Sequence, residues 1–333
     1  MTSQAGDVLA AIDIGGTKTL VLVVPANAVW SSATEARRDA RRAVRFATER
    51  QPAQQIRRVA DVVRRLANGR TIGAVGVAAP GPLDHHTGRV LHSPNLGWKG
   101  FDLGVALAEE LSAPVSVDDD ANAGAIGEAL VGAGRGADPV AYLTVSTGIG
   151  AGIVIDGRIV RGAHQVAGEI GHLVIDPSGP RCGCGGRGHV EAYAGGDALA
   201  SRAKAAWPTG VLVDGSPAPT DARGLVKAAL SGDPTAERLL SEAAEALAFA
   251  IAVLWAAIDP EQLAVGGSIG LRQRWLIRDA VRRARRRLGR LVGRPAKPVA
   301  AALGASAPLV GAAMLARERA GLPSLSHGGW QRR

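Results

Sequence analysis

Residues 116–128 read SVDDDANAGAIGE, three carboxylates in a row where an apolar run meets a helix-like stretch. Phosphoryl transfer to an alcohol needs one carboxylate held where it accepts the hydroxyl proton. Two more beside it oppose its ionisation unless something compensates them. Glycine turns elsewhere offer the phosphate half of such chemistry. In DIGGTKT (13–19), Gly15 and Gly16 let backbone N–H groups approach phosphate oxygens with no Cβ in the way. Thr17 and Lys18 add a hydroxyl and a cation, and Asp13 at the strand end is placed to hold a Mg²⁺-bound water. The spacing is not that of a Walker loop. STGIGAG (146–152) repeats the device with Thr147, Gly148 and Gly150, and in AVGGS (264–268) Gly266 and Gly267 suit a flat adenine. One such turn is ordinary; three together point to a nucleotide site.

A second constellation is metal-like. His172, Cys182, Cys184 and His189 are four soft or borderline donors within 18 positions of glycine-rich chain. That composition suits tetrahedral Zn²⁺, and four protein ligands imply a closed, structural site. These are the chain's two cysteines, so there is no disulfide framework of the secreted kind.

These residues need a scaffold. A chain of 333 residues, 47% hydrophobic and 21% charged, is enough for two ordinary α/β domains. VLAAIDIGGTKTLVLVV (8–24) and VAYLTVSTGIGAGIVIDGRIV (140–160) both read as strand–turn–strand. Residues 35–67 read as helical, 71–84 as a buried strand running into a Gly/Pro loop, and 233–258 as a long helix. Net charge +9 and a pI near 10.4 come mostly from residues 37–70 and 272–294. In the latter, Ile277, Val281, Ala284, Leu288 and Leu291 recur at helical spacing with arginines on the other face, which reads as a solvated helix. With no helix-turn-helix or zinc-finger pattern, no nucleic-acid partner is expected. The longest apolar run, Ala246–Ile258, is short for a bilayer, and no basic leader precedes Asp13, so a cytoplasmic location away from any membrane is expected.

Taken in order, DIGGTKT, PGPLD, SPNLGW, DDDAN followed by GE, STGIGAG, GEIGH, CGCGGRGHVE, AVGGS and ALGASAPLVGAA resemble the ROK family of repressors and sugar kinases. The resemblance runs from about residue 8 to 315. It implies an α/β, two-domain actin/hexokinase-like (ribonuclease H-like) fold with a cleft between domains. Residues 1–117 would form the small domain and 118–307 the large one, with a helix at about 308–325 packing back on the first. It implies ATP-dependent phosphorylation of the 6-hydroxyl of glucose or a glucose-like hexose, assisted by Mg²⁺, in a dimer or tetramer. Asp120 takes the place of the base. Gly81, Asn95, Asp119, Glu169, His172 and Glu191 take the places of sugar contacts. Zinc would hold one nitrogen of His172 and leave the other for the sugar.

Three positions depart from the family pattern: Asp119 stands where asparagine is usual, His189 where a third cysteine is usual, and Pro308 near the last helix where glycine is usual. Histidine is an acceptable zinc donor, so the metal site is expected to survive. Asp119 only accepts hydrogen bonds when ionised and adds a charge beside the base. A substrate ammonium would compensate that charge. An amino sugar (kanosamine, glucosamine or an N-acetylhexosamine) is therefore the alternative to glucose, with kanosamine the best geometric fit. A sugar-sensing transcriptional regulator is the rival of another class; the 12 residues before Asp13 are too few for a DNA-binding domain of that kind.

Overall fold

The computed structural model describes residues 6–212, 215–289, 293 and 295–323. Residues 1–5 of the first expected domain, residues 290–292 and 294 of the second basic run, Leu291 among them, and residues 324–325 of the last expected helix lie outside these. The chain folds into two compact units. Among the described residues, the first comprises 6–140, 152–167 and 305–323; the second comprises 141–151 and those within 168–304.

The first unit opens with strands β1 (Val8–Ile14) and β2 (Lys18–Pro25), an antiparallel hairpin closed at Ile14↔Thr19. There follow α1 (Ala33–Ala40), β3 (Val44–Ala47), α2 (Pro52–Ala67) and β4 (Ile72–Ala79). Then come β5 (Leu83–Asp84), β6 (Arg89–Ser93), β7 (Trp98–Phe101), α3 (Leu103–Leu111), β8 (Val115–Asp119) and α4 (Asp120–Leu130). The main sheet has the order β3-β2-β1-β4-β8, with β1, β4 and β8 parallel. Its register aligns Asp13 with Ala78, and Ala78 with Asp118. The ends of β1 and β8 thus bring the first glycine turn and the carboxylate triplet to one end of the sheet. The expected continuous helix over 35–67 is broken by β3. There Phe46 alone is buried and its neighbours face outward, an alternation that fits a strand beside β2. The Gly/Pro loop after β4 is partly ordered as a small sheet, β5-β6-β7.

Strand β9 (Val140–Val145) leads into β10 (Ile149–Ile155), whose end pairs with β11 (Arg158–Ile159) in the first unit. In the second unit the Ile170–His172 turn and α5 (Val190–Ala194), α6 (Gly196–Ala206), α7 (Ala222–Leu230) and α8 (Pro234–Ile258) precede β12 (Gln262–Gly266). α9 (Ser268–Arg272), α10 (Arg274–Leu288) and β13 (Val299–Ala300) complete it, with β12 between β9 and β13. Helix α8 has the length and apolar composition to cross a membrane. It starts at the Asp233 N-cap and packs on α5, α7 and α10, with Leu240, Leu247, Ile251 and Trp255 fully buried. α10 has two faces: Leu276, Ile277, Ala280 and Ala284 are buried and most of its arginines face outward, while Val281 and Leu288 of the expected stripe are only half-buried.

The chain re-enters the first unit as α11 (Ala307–Arg319), which packs on α4, β4 and β1. A side chain at Gly76 would strike the Ala312 carbonyl, and one at Gly311 the Ala123 carbonyl, so both approaches require glycine. Pro308 sits in the first turn of α11, where a missing N–H costs nothing. The division of the chain differs from the expected one at 117/118: β8 joins the first sheet beside β4, and α4 packs under α11, so residues 118–140 belong with the first unit.

Candidate active site

The first glycine turn is pinned from both sides. Gly15 N–H donates to the Lys18 carbonyl (2.9 Å), and the Thr48 hydroxyl donates to the Gly15 carbonyl (2.7 Å). Thr48 N–H reaches the Thr17 carbonyl (3.2 Å), and Gln55 Nε2 donates to the buried Thr19 hydroxyl (2.7 Å). Strand β3, which the sequence did not reveal, is therefore what leads Thr48 to this turn. Thr17 and Lys18 are exposed. A Cβ on Gly16 would lie 3.0 Å from the Asn95 carbonyl oxygen, so the turn abuts the SPNLGW loop. Gly81 has φ +106°, and a Cβ there would come 2.6 Å from the His92 carbonyl oxygen, which is why a glycine stands at the entrance to the small sheet.

Asp120 is the first residue of α4 and is half-buried. Its charge reaches Asp13: burial first, and repulsion from Asp120 second, push the Asp13 carboxyl up to about 7, with Lys18 opposing. Asp119 is the N-cap of α4, its Oδ1 accepting from Ala121 N–H at 2.8 Å. Asp118 is buried to 1% and takes four donors: Asp119 N–H and Asn122 Nδ2 on Oδ1, Arg161 Nε and Nη2 on Oδ2. The first unit thus unites Asp13, Gly15, Gly16, Asn95, Asp119 and Asp120. Asn122 and Arg161 were not picked out from sequence. Asn122 lies within DDDAN and was legible there as a motif member; nothing local marks Arg161.

The second unit gathers the remaining residues. Thr147 is exposed at the β9–β10 turn. Ile149 N–H donates to Glu191 Oε2 (2.9 Å), and a side chain at Gly148 would collide with that same oxygen. Gly171 of GEIGH likewise lies on the Ile149 carbonyl, so the GEIGH segment, Glu191 and the second turn form one packed cluster. His172 Nε2 lies 3.6 Å from Glu169 Oε2. Loss of hydration raises the Glu169 carboxyl above the ordinary range; His172 pulls it down and Glu191 pushes it up. Gly266 fits against the Tyr142 ring, and Gly267, at φ +79°, lies on the Val145 carbonyl, which places the adenine-type turn at the end of β9. Ser146 and Ser268 share a hydroxyl contact at 3.1 Å.

The donor atoms of His172, Cys182, Cys184 and His189 lie within 4.8 Å of one another. His172 Nδ1 is 3.9 Å from Cys182 Sγ, and His189 Nδ1 is 3.2 Å from Cys184 Sγ. Ligands about 2.0–2.3 Å from a tetrahedral Zn²⁺ stand close to these separations, so the set fits the ion. Gly186 makes room for the His189 ring, and a side chain there would strike its Cε1. His172 turns Nδ1 to the cluster and Nε2 toward Glu169, where the sequence reading has the second nitrogen facing the sugar. Burial foremost holds the Cys182 thiol up at about 12, so this cysteine is no ready nucleophile without a cation.

Two five-stranded sheets, two glycine turns and a carboxylate at a strand–helix seam define a two-domain protein of the actin/hexokinase-like fold. The chain belongs to the ROK family, whose profile matches residues 9–319. The glucokinase of Streptomyces coelicolor is 35% identical over 319 residues, covering 92% of this chain and 96% of its own. The ROK hexokinase of Thermus thermophilus superposes with a TM-score of 0.77 at 34% identity, over 93% of this chain and 97% of its own. A ROK family glucokinase from Streptomyces griseus, solved with glucose and AMPPNP, gives 0.73 at 33% identity over 93% and 99%.

Proposed function

We propose that this protein is an ATP-dependent hexose kinase that phosphorylates the 6-hydroxyl of glucose, acting in the cytoplasm. The observation that carries the reading is the single edge of the first unit where a pinned glycine turn, the Asn95 loop and Asp120 meet. Asp120 accepts the proton of the sugar hydroxyl and aims its oxygen; positioning and charge stabilisation supply most of the rest. Gly15, Gly16, Thr17 and Lys18 cradle phosphate from one side, and Thr147, Gly148 and Gly150 do so in the second unit, where Gly266 and Gly267 take the adenine. Asp13 and Asp120 oppose each other's charge, so the pair suits a divalent cation. Mg²⁺, when bound with ATP, supplies charge neutralisation on the transferred phosphoryl group. Gly81, Asn95, Asp119, Glu169, His172 and Glu191 hold the sugar. Zn²⁺ on His172, Cys182, Cys184 and His189 would fix the His172 ring and order the loop that leads to Glu191. The kinase is expected to work as a dimer or tetramer.

Asp119 as N-cap needs only an acceptor oxygen, a task asparagine does equally well. That supports glucose ahead of an amino sugar. The test is ADP release with glucose, mannose, glucosamine, N-acetylglucosamine, N-acetylmannosamine and kanosamine, for the wild type and Asp119→Asn. Glucose leading with both is the expected result. A preference for an amino sugar that moves to glucose in Asp119→Asn would transfer the reading to an amino-sugar kinase. No turnover with any sugar would end the kinase reading.

A further inference from the structure

The carboxylate that reacts with nothing is the most constrained of the three. Asp118 is 1% exposed, and its Oδ1 accepts from the Asp119 N–H and from Asn122 Nδ2, both at 2.9 Å. Those two residues flank Asp120 on either side, so one oxygen fixes the chain just before the base and just after it. The other oxygen takes both Nε (2.9 Å) and Nη2 (2.6 Å) of Arg161. Arg161 is itself held by its backbone, where its carbonyl accepts from Ala167 N–H (3.1 Å).

We infer that Arg161 is a positioning residue for the phosphoryl acceptor side: by neutralising and orienting Asp118 it sets the direction of Asp120. The inference rests on the kinase reading above and adds to it a residue outside every phosphate, sugar and metal motif. The charges around this edge explain why a cation is needed. Asp13, Asp119 and Asp120 bring further negative charge, which the positive charge of Lys18 partly offsets at Asp13. A buried carboxylate left without a partner is strongly unfavourable, whereas removal of both members of the pair is tolerated far better. Without Arg161, the buried Asp118 keeps only the Asp119 N–H and Asn122 Nδ2 and loses its counter-charge, so the carboxylate that pins both flanks of Asp120 is free to turn.

The experiment uses the full chain and compares Arg161→Lys, Arg161→Gln, Asp118→Asn and the double variant Asp118→Asn/Arg161→Gln. A misplacement of the base by an ångström costs about 10²-fold in rate. Arg161→Gln is therefore expected to lower kcat by about that factor with the KM for ATP within about twofold of wild type. Arg161→Lys, which keeps the charge but not the two-pronged contact, is expected to fall between. The double variant, whose two amides replace the charge pair, is expected to regain at least about tenfold over Arg161→Gln. Hydrogen exchange of the Asp119 amide reads the same positioning without turnover: it should accelerate in Arg161→Gln and slow again in the double variant. Wild-type kcat and unchanged exchange in Arg161→Gln would overturn the inference, as would a double variant no better than Arg161→Gln. A wild type that releases no ADP with any sugar while the exchange pattern holds would defeat the kinase reading and leave the positioning intact.

Discussion

At the scale of the residue, three adjacent aspartates do three different things, and their places in the backbone decide which. Asp118 ends inside the sheet edge and turns inward to Arg161, Asp119 caps the helix, and Asp120 begins it. The partial positive charge of a helix N-terminus favours an ionised Asp120, while Asp13 opposes it. Replacing Asp120 with asparagine keeps the shape and removes the proton acceptor. Its kcat is expected to drop by about 10²–10⁴-fold with little change in the KM for ATP, measured by coupled ADP assay. A loss below tenfold would mean that another group takes the proton. The positions of Asp119 and Asp120 were legible as members of a contiguous motif, but the helix cap that Asp119 forms was not. Nor was the pairing of Asp118, because its partner is 43 positions away in a chain with 39 lysines and arginines, and sequence spacing carries no sign of which arginine folds back.

At the scale of the element, legibility follows range. The two strand–turn–strand units were readable from apolar runs broken by glycine, since hairpin contacts are local. The His/Cys cluster was readable for the same reason, with four donors in a short stretch. β3 and the small β5-β6-β7 sheet escaped because strands of two to five residues show too little alternation to stand out from loop. The cost of missing β3 was the mechanism that holds the first phosphate turn through Thr48. The zinc site proposed for this cluster makes a prediction of its own. Glu191 receives the Ile149 N–H of the second turn and lies 3.6 Å from Cys182 Sγ, so disorder in the cluster reaches that turn through one side chain. About one zinc per chain is expected by atomic spectroscopy, falling in Cys184→Ala and in His189→Ala. Either variant should raise the KM for glucose at least about tenfold, in the range that metal-ligand shells typically command. Full zinc content in both variants would show that the ion, if bound, is held elsewhere.

At the scale of the whole molecule, the site leaves a mark on stability that can be read without substrate. The Asp13 carboxyl is pushed up to about 7 in the fold, whereas in an unfolded chain it titrates near the ordinary aspartate value of 3.8. Between those values the folded protein binds a proton that the unfolded chain has released. Stability therefore falls as pH rises through that window, and the effect is complete above it. The difference between protonation states corresponds to about 4 kcal/mol at most, and water reaching the half-buried side chain lowers it. Asp13→Asn removes the titration and keeps the volume. It should melt higher than wild type at pH 8, by less at pH 6, and at the same temperature near pH 4. Asp84 and Asp176, whose hydrogen bonds hold them below the ordinary range, destabilise both proteins in acid and cancel in the comparison. Mg²⁺ with a non-hydrolysable ATP analogue should close the gap at pH 8, because a cation at the Asp13–Asp120 edge favours the ionised form that burial disfavours. A melting difference independent of pH would show that Asp13 is not the strained group, and a gap untouched by the nucleotide would place the cation away from it.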